Sequence, residues 1–179
     1  MKHTDFAVGT LFYTCTGQWR CTDLGLRTIL AIKLKPGLDE SWFNGPPYVV
    51  VEVPFDECDI PRCYRNENEA IEYAIHEAHT SGHPGYPGED VSRMFKEKWA
   101  HETAAKYPHE GLLRFDRVKE NGELLHPYAA RQSGDSWVIC LYLPFLHEYA
   151  EIPEIDFLRL PIATKIDLKK RAKTDLTKQ

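Results

Sequence analysis

Leu26-Arg27-Thr28-Ile29-Leu30-Ala31-Ile32-Lys33-Leu34 is the stretch on which the fold turns. Leu26, Leu30, Ile32 and Leu34 alternate onto one face with Thr28, while Arg27 and Lys33 point the other way. That period of two belongs to a strand with one buried side. Upstream, residues 6–14 are rich in aromatic and β-branched side chains. Thr16-Gly17-Gln18 and Asp23-Leu24-Gly25 supply turns on either side of Trp19-Arg20-Cys21-Thr22. Turns this short join antiparallel neighbours. Downstream, a loop with Pro36-Gly37 and Gly45-Pro46-Pro47 leads to a strand over residues 48–53.

The pattern then changes period. Between Asn66 and Thr80, Ile71, Ala74, Ile75 and Ala78 share one helical face. Asn66 and Glu69 form a capping-box pair at its start, and Ser81-Gly82 ends it. A second helix is predicted from Glu89-Asp90 to about Lys106, with Val91, Met94, Phe95 and Trp99 as its apolar stripe. The link His83-Pro84-Gly85-Tyr86-Pro87-Gly88 cannot be helical. Strands return at 112–119 and 123–128 around the hairpin dipeptide Asn121-Gly122. Residues 137–143 read as a central strand covered on both faces, and Phe157–Leu160 as a weaker strand. The expectation is an α+β fold: one mostly antiparallel sheet, able to curl into a partly closed small barrel, with two helices inserted between its N- and C-terminal strands and packed on one side.

The chain has 179 residues, enough for one domain with its own core. Its formal net charge of −5 disfavours nucleic acid as a partner, because phosphate recognition rests on a basic surface. The last fifteen residues depart from that balance, with six Lys or Arg against Asp167 and Asp175. The predicted organisation is a single domain over 1–164 and a basic, mobile tail over 165–179. No run approaches the roughly 20 apolar residues of a membrane span, and the opening residues lack the pattern of a secretory signal. With five cysteines, an odd number, the expected compartment is the reducing cytoplasm and no membrane partner is expected.

Chemistry-bearing residues concentrate at 58–83. Cys58 and Cys63 precede His76, His79 and His83 at spacings close to those of a zinc finger. The histidine gaps do not fit: His76 to His79 is too short and His76 to His83 too long, while pairing His79 with His83 stretches the cysteine-to-histidine loop. These residues define a structural-zinc alternative. Glu72, His76 and His79, with His83 as a further donor, define a metal-dependent hydrolase alternative, since they share a helical sector away from the apolar face. The same sector is where an amphipathic helix keeps its solvated groups.

Ser41-Trp42-Phe43-Asn44-Gly45-Pro46-Pro47-Tyr48 gathers three aromatics around a proline-stiffened turn. Trp42, Phe43 and Tyr48 are the expected binding residues, for a protein or small-molecule partner or for a second copy of the chain. Arg20 and Arg27 flank the Asp23 turn and could hold an anion, although Asp23 is an equally available partner. The sequence has no phosphate loop, no dinucleotide fingerprint and no nucleophile elbow. The leading expectation is therefore a binding or interaction domain with no cofactor and no recognisable catalytic motif.

Overall fold

The computed structural model describes residues 1–176. The chain divides into two compact units, Met1–Glu77 and Ala78–Gln179. Each unit carries its own four-stranded antiparallel sheet. The single sheet expected from the sequence is thus two. Each set of strands is joined by short turns, so pairing is satisfied among chain neighbours. Neither sheet closes on itself, and the barrel has no support.

In the first unit, β1 (Leu11–Thr14), β2 (Gly17–Leu24), β3 (Ile29–Lys33) and β4 (Glu52–Phe55) lie in chain order. Ile29 and Ala31 enter the core beside Phe6, Phe12, Trp19, Cys21 and Phe55. Leu26, assigned from the sequence to the buried side, is wholly exposed, and Leu30 is half-buried. Ile32, from the same expected face, is fully buried, so strict alternation fails at both ends: Leu26 belongs to the turn before the strand, and Ile29 and Ala31 on the other parity are buried too. Phe12 is the hub of the core, its ring 5.2 Å from Phe6 and 5.3 Å from Phe55, both edge-to-face. Trp19 meets Phe55 in the same way at 5.0 Å. Such pairs add about 0.5–1.5 kcal/mol each beyond simple burial. A bulge between Cys21 and Asp23 shifts the register of β2 and β3, and the Thr22 hydroxyl donates to Glu52 at 2.6 Å.

Helix α1 (Glu67–Thr80) begins as its cap predicts, with the Asn66 side chain accepting the Glu69 N–H at 2.9 Å. Its apolar face is not buried: Ile71 and Ile75 are each about half exposed. In the second unit, α2 (Gly88–Ala104) packs over β6 (Leu124–Ser133). There too the expected stripe divides, since Met94 is buried while Phe95 and Trp99 are exposed. β5 (Arg117–Val118), β6, β7 (Ser136–Leu143) and β8 (Glu148–Pro153) again lie in chain order, so β7 is central as expected. Residues 112–114, the start of the strand expected over 112–119, lie instead in a 3-10 helix, Glu110–Arg114. Phe157 lies in α3 (Glu154–Arg159), a helix where a weak strand was expected. The segment Pro153-Glu154-Ile155-Asp156 explains it: proline leads into the first turn and two carboxylates meet the positive end of the helix.

The sheet of the second unit treats its faces differently. Leu125, Ala130, Ile139, Leu141 and Leu143 form a core with Tyr107 and Phe157. Within the segment read as a basic tail, Lys165–Leu176 forms α4, and its buried Arg171 pairs with buried Glu123 at 2.9 Å. No helix among the described residues is long and apolar enough to cross a membrane.

Candidate functional site

Strand alternation puts Tyr142 on the face opposite Leu141 and Leu143. Tyr149 stands directly across from Tyr142 in the β7–β8 register, their rings 5.1 Å apart. Asp90, in the first turn of α2, accepts hydrogen bonds from both hydroxyls, 2.8 Å to Tyr142 and 2.7 Å to Tyr149. The helix N-terminus favours the negative charge there. Tyr142 also lies 3.1 Å from His147 Nδ1. Its one proton goes to Asp90, so its oxygen accepts from His147 and the imidazole carries hydrogen at Nδ1. His147 takes a left-handed backbone, φ 53°, in the β7–β8 turn.

One turn further along α2, the Arg93 guanidinium sits 3.8 Å over the Tyr149 ring and donates to Glu97 at 2.8 Å. Glu97 also accepts the Tyr128 hydroxyl. Positions 90, 93 and 97 thus lay one polar stripe on an aromatic strand face. The hydrogen bonds from Tyr149 and Tyr142 hold the Asp90 carboxyl below its usual range. Burial, with the Asp90 charge adding to it, pushes the Tyr142 hydroxyl up to about 12. Tyr128, Tyr149 and Tyr86 are raised as well, by burial first. The hydroxyls of Tyr128, Tyr142 and Tyr149 are protonated donors, each fixed on a carboxylate.

Beside this network the chain entering α2 places Tyr86 between two imidazoles, 4.9 Å from His126 and 4.8 Å from His83. His83 Nδ1 accepts the Gly85 N–H at 2.9 Å, which leaves the proton of the neutral ring on Nε2. That nitrogen is buried without a partner among the described residues. Burial pushes His83 below its ordinary value, with His126 adding to the effect and Asp116 opposing it. His126 Nδ1 lies 2.8 Å from Asp116 Oδ1. An Nδ1–H donated to that carboxylate fixes the neutral tautomer and leaves Nε2 as an acceptor.

His126 and Tyr86 line a cleft of about 360 Å³ between α2 and β6. Met94, Val91, Leu113 and Pro127 supply apolar lining, and Phe95 and Tyr128 supply further rings. Lys98 also lines the cleft and pairs with Glu102 at 3.6 Å. The lining contains no Ser, Thr or Cys. The arrangement suits noncovalent binding: aromatic walls, an apolar floor and one oriented imidazole.

Apart from His83, which stands beside Tyr86, the site residues singled out by sequence fall elsewhere. Trp42 is exposed, but Phe43 is buried and its carbonyl accepts from Arg20. Tyr48 folds over Gly45, where a Cβ would come within 2.5 Å of its ring. Arg27 pairs with Glu57. Cys58 is exposed, whereas Cys63 is buried, its thiol donating to the Asp59 carbonyl at 3.6 Å and pushed up to about 12 by burial. Cys58, Cys63 and His76 belong to the first unit, His79 and His83 to the second. His76, His79 and Glu72 are exposed on α1. Among the described residues no three His, Cys, Asp or Glu side chains are grouped to hold a metal.

Sequence reasoning did not find Asp90, Glu97, Asp116, His126, Tyr128, Tyr142 or Tyr149 as a set. One signal was present: Asp90, Arg93 and Glu97 recur at helical spacing beside the apolar stripe. No protein-family model, no curated protein and no solved structure matches this chain, so its function is argued from its own residues.

Proposed function

We propose that the chain is a ligand-binding domain whose site is the cleft between α2 and β6. The ligand class is a small, planar, largely apolar molecule with one hydrogen-bond donor. Tyr86, Phe95 and Tyr128 flank the ring, Met94 and Pro127 pack against it, and His126 Nε2 accepts its proton. The observation that carries this reading is the sheet face under α2, which presents His126, Tyr128, Tyr142 and Tyr149 where the opposite face presents aliphatic side chains. Burying polar groups is unfavourable unless each is partnered, and a helix needs no such layer to pack on a sheet. The five cysteines are all free thiols, which accords with a reducing compartment such as the cytoplasm.

Calorimetric titration with indole tests the reading, because indole is planar, apolar and has a single N–H. Saturable binding is expected with one site per chain. 1-Methylindole, which lacks the donor, should bind several-fold more weakly. Met94→Trp, which fills the cleft, should abolish binding while circular dichroism remains unchanged. Equal binding of the two indoles, or binding that survives Met94→Trp, would overturn the proposal.

A further inference from the structure

Two arginines of the second unit are equally buried, Arg117 and Arg171, each with 9% of its surface exposed. Arg171 is neutralised by Glu123. Arg117 has no carboxylate partner among the described residues. Its Nη1 donates to the Leu160 carbonyl at 2.8 Å and its guanidinium lies 5.4 Å from the centre of the Phe157 ring. Its Nε is closed off from solvent and has no hydrogen-bond partner among the described residues. A guanidinium does not lose its proton in a protein. A buried, unpaired positive charge is therefore an unmet demand for an anion.

Arg117 lines a cleft of about 530 Å³ whose remaining wall is mainly Leu112, Phe115, Ile155, Leu158 and Ile162. Ile155, Leu158 and Ile162 are each about half exposed, an apolar surface that packing within the chain leaves open. Glu154 also borders the cleft, but its carboxylate is already engaged by the Tyr107 hydroxyl and by His109, both at 2.6 Å. A single cationic group set into an apolar trough matches a ligand with one anionic head and a hydrocarbon tail. Carboxylate suits the head, because its charge offsets the unpaired guanidinium and its oxygens accept charge-assisted hydrogen bonds from guanidinium donors other than Nη1 and Nε.

We propose that this trough binds an aliphatic monocarboxylate, its head on Arg117 and its tail along Ile155, Leu158 and Ile162. The site is separate from the α2–β6 cleft and does not depend on it.

The test is calorimetric titration of the full chain with decanoate, with decanol and acetate as controls. Decanoate should bind saturably, with decanol at least about tenfold weaker, the loss expected when one charge-assisted hydrogen bond is removed. Acetate, lacking the tail, should not bind in the same range. Arg117→Met keeps the stem and removes the charge, a replacement that buried ionic positions tolerate. It should erase the preference for decanoate over decanol. Ile155→Glu, at an exposed position, provides a second variant whatever the stability of the first, and should weaken decanoate at least about tenfold by repulsion and lost apolar contact. Met94→Trp should leave decanoate binding intact, which separates failure here from failure of the indole site. Equal affinity for decanoate and decanol would overturn the proposal, as would decanoate binding unaffected by either variant at 117 or 155. Tighter binding of a leucine-terminated peptide than of decanoate would overturn it in favour of a peptide C-terminus.

Discussion

The two sheets share one topology, four antiparallel strands in chain order, and differ in what they do with their faces. The first places aromatic rings edge-to-face around Phe12 and supports them with Ile29 and Ala31. The second makes an aliphatic core on one side and, under α2, a layer of phenols, an imidazole and carboxylates on the other. The same ladder of backbone hydrogen bonds supports either choice. What differs is cost: an apolar face stabilises simply by leaving water, whereas a polar one must satisfy each donor and acceptor in place. The first sheet reads as scaffold and the second as scaffold carrying a site.

That contrast can be broken by mutation, and the largest effect should come from the scaffold side. Phe12→Ala should destabilise the first unit by about 3–5 kcal/mol, because its ring is fully buried against two others, Phe6 and Phe55. Denaturant unfolding followed by near-ultraviolet circular dichroism measures this. In the second unit Arg171→Ala should cost a comparable amount, about 3 kcal/mol or more, since Glu123 would be left buried without its partner. Glu123→Gln combined with Arg171→Met should recover much of that loss in the same assay.

On the polar face the expected effects are smaller and chemically specific. Tyr142→Phe keeps the ring and removes the hydroxyl that bridges Asp90 and His147. It should cost about 1.5–3 kcal/mol, the range for a hydrogen bond to a charged group. Asp90 also predicts a pH signature. Its folded pKa lies below the ordinary carboxylate value of 3.8, through the Tyr149 and Tyr142 hydrogen bonds. Its contribution is therefore fully present above that value and is lost as pH falls through the lower folded pKa. The stability difference between wild type and Asp90→Asn should be constant near neutrality and shrink in acid. A difference that grew in acid would mean that the hydrogen bonds do not favour the charged form. The smallest effect is expected at Trp99, exposed on α2: Trp99→Ala should change stability by no more than about 0.5 kcal/mol.

Local signals in the sequence were legible where one residue decides one backbone event. Asn66 marks the start of α1, Gly82 follows its end at φ +77°, and Gly122 makes the turn between β5 and β6 at φ +83°. Apolar periodicity was less faithful. Ile71, Ile75, Phe95 and Trp99 repeat at helical spacing yet remain exposed, because a stripe states what a helix can bury and not whether anything covers it. The site itself was illegible for a different reason. Asp90 and Tyr142 are 52 residues apart and Tyr128 and Glu97 are 31 apart, so only the packing of α2 on its sheet brings them together. Tyr142, inside an apolar run, read as core and is core; its hydroxyl is what the helix reaches.

Backbone amide chemical shifts followed by NMR during titration with indole test the central claim most directly, that the face under α2 serves a ligand. The account predicts perturbations concentrated at residues 86–98 and 126–128, with the first sheet silent. Perturbations centred on Trp42 and the turn at 44–48, or none at saturating indole, would contradict it.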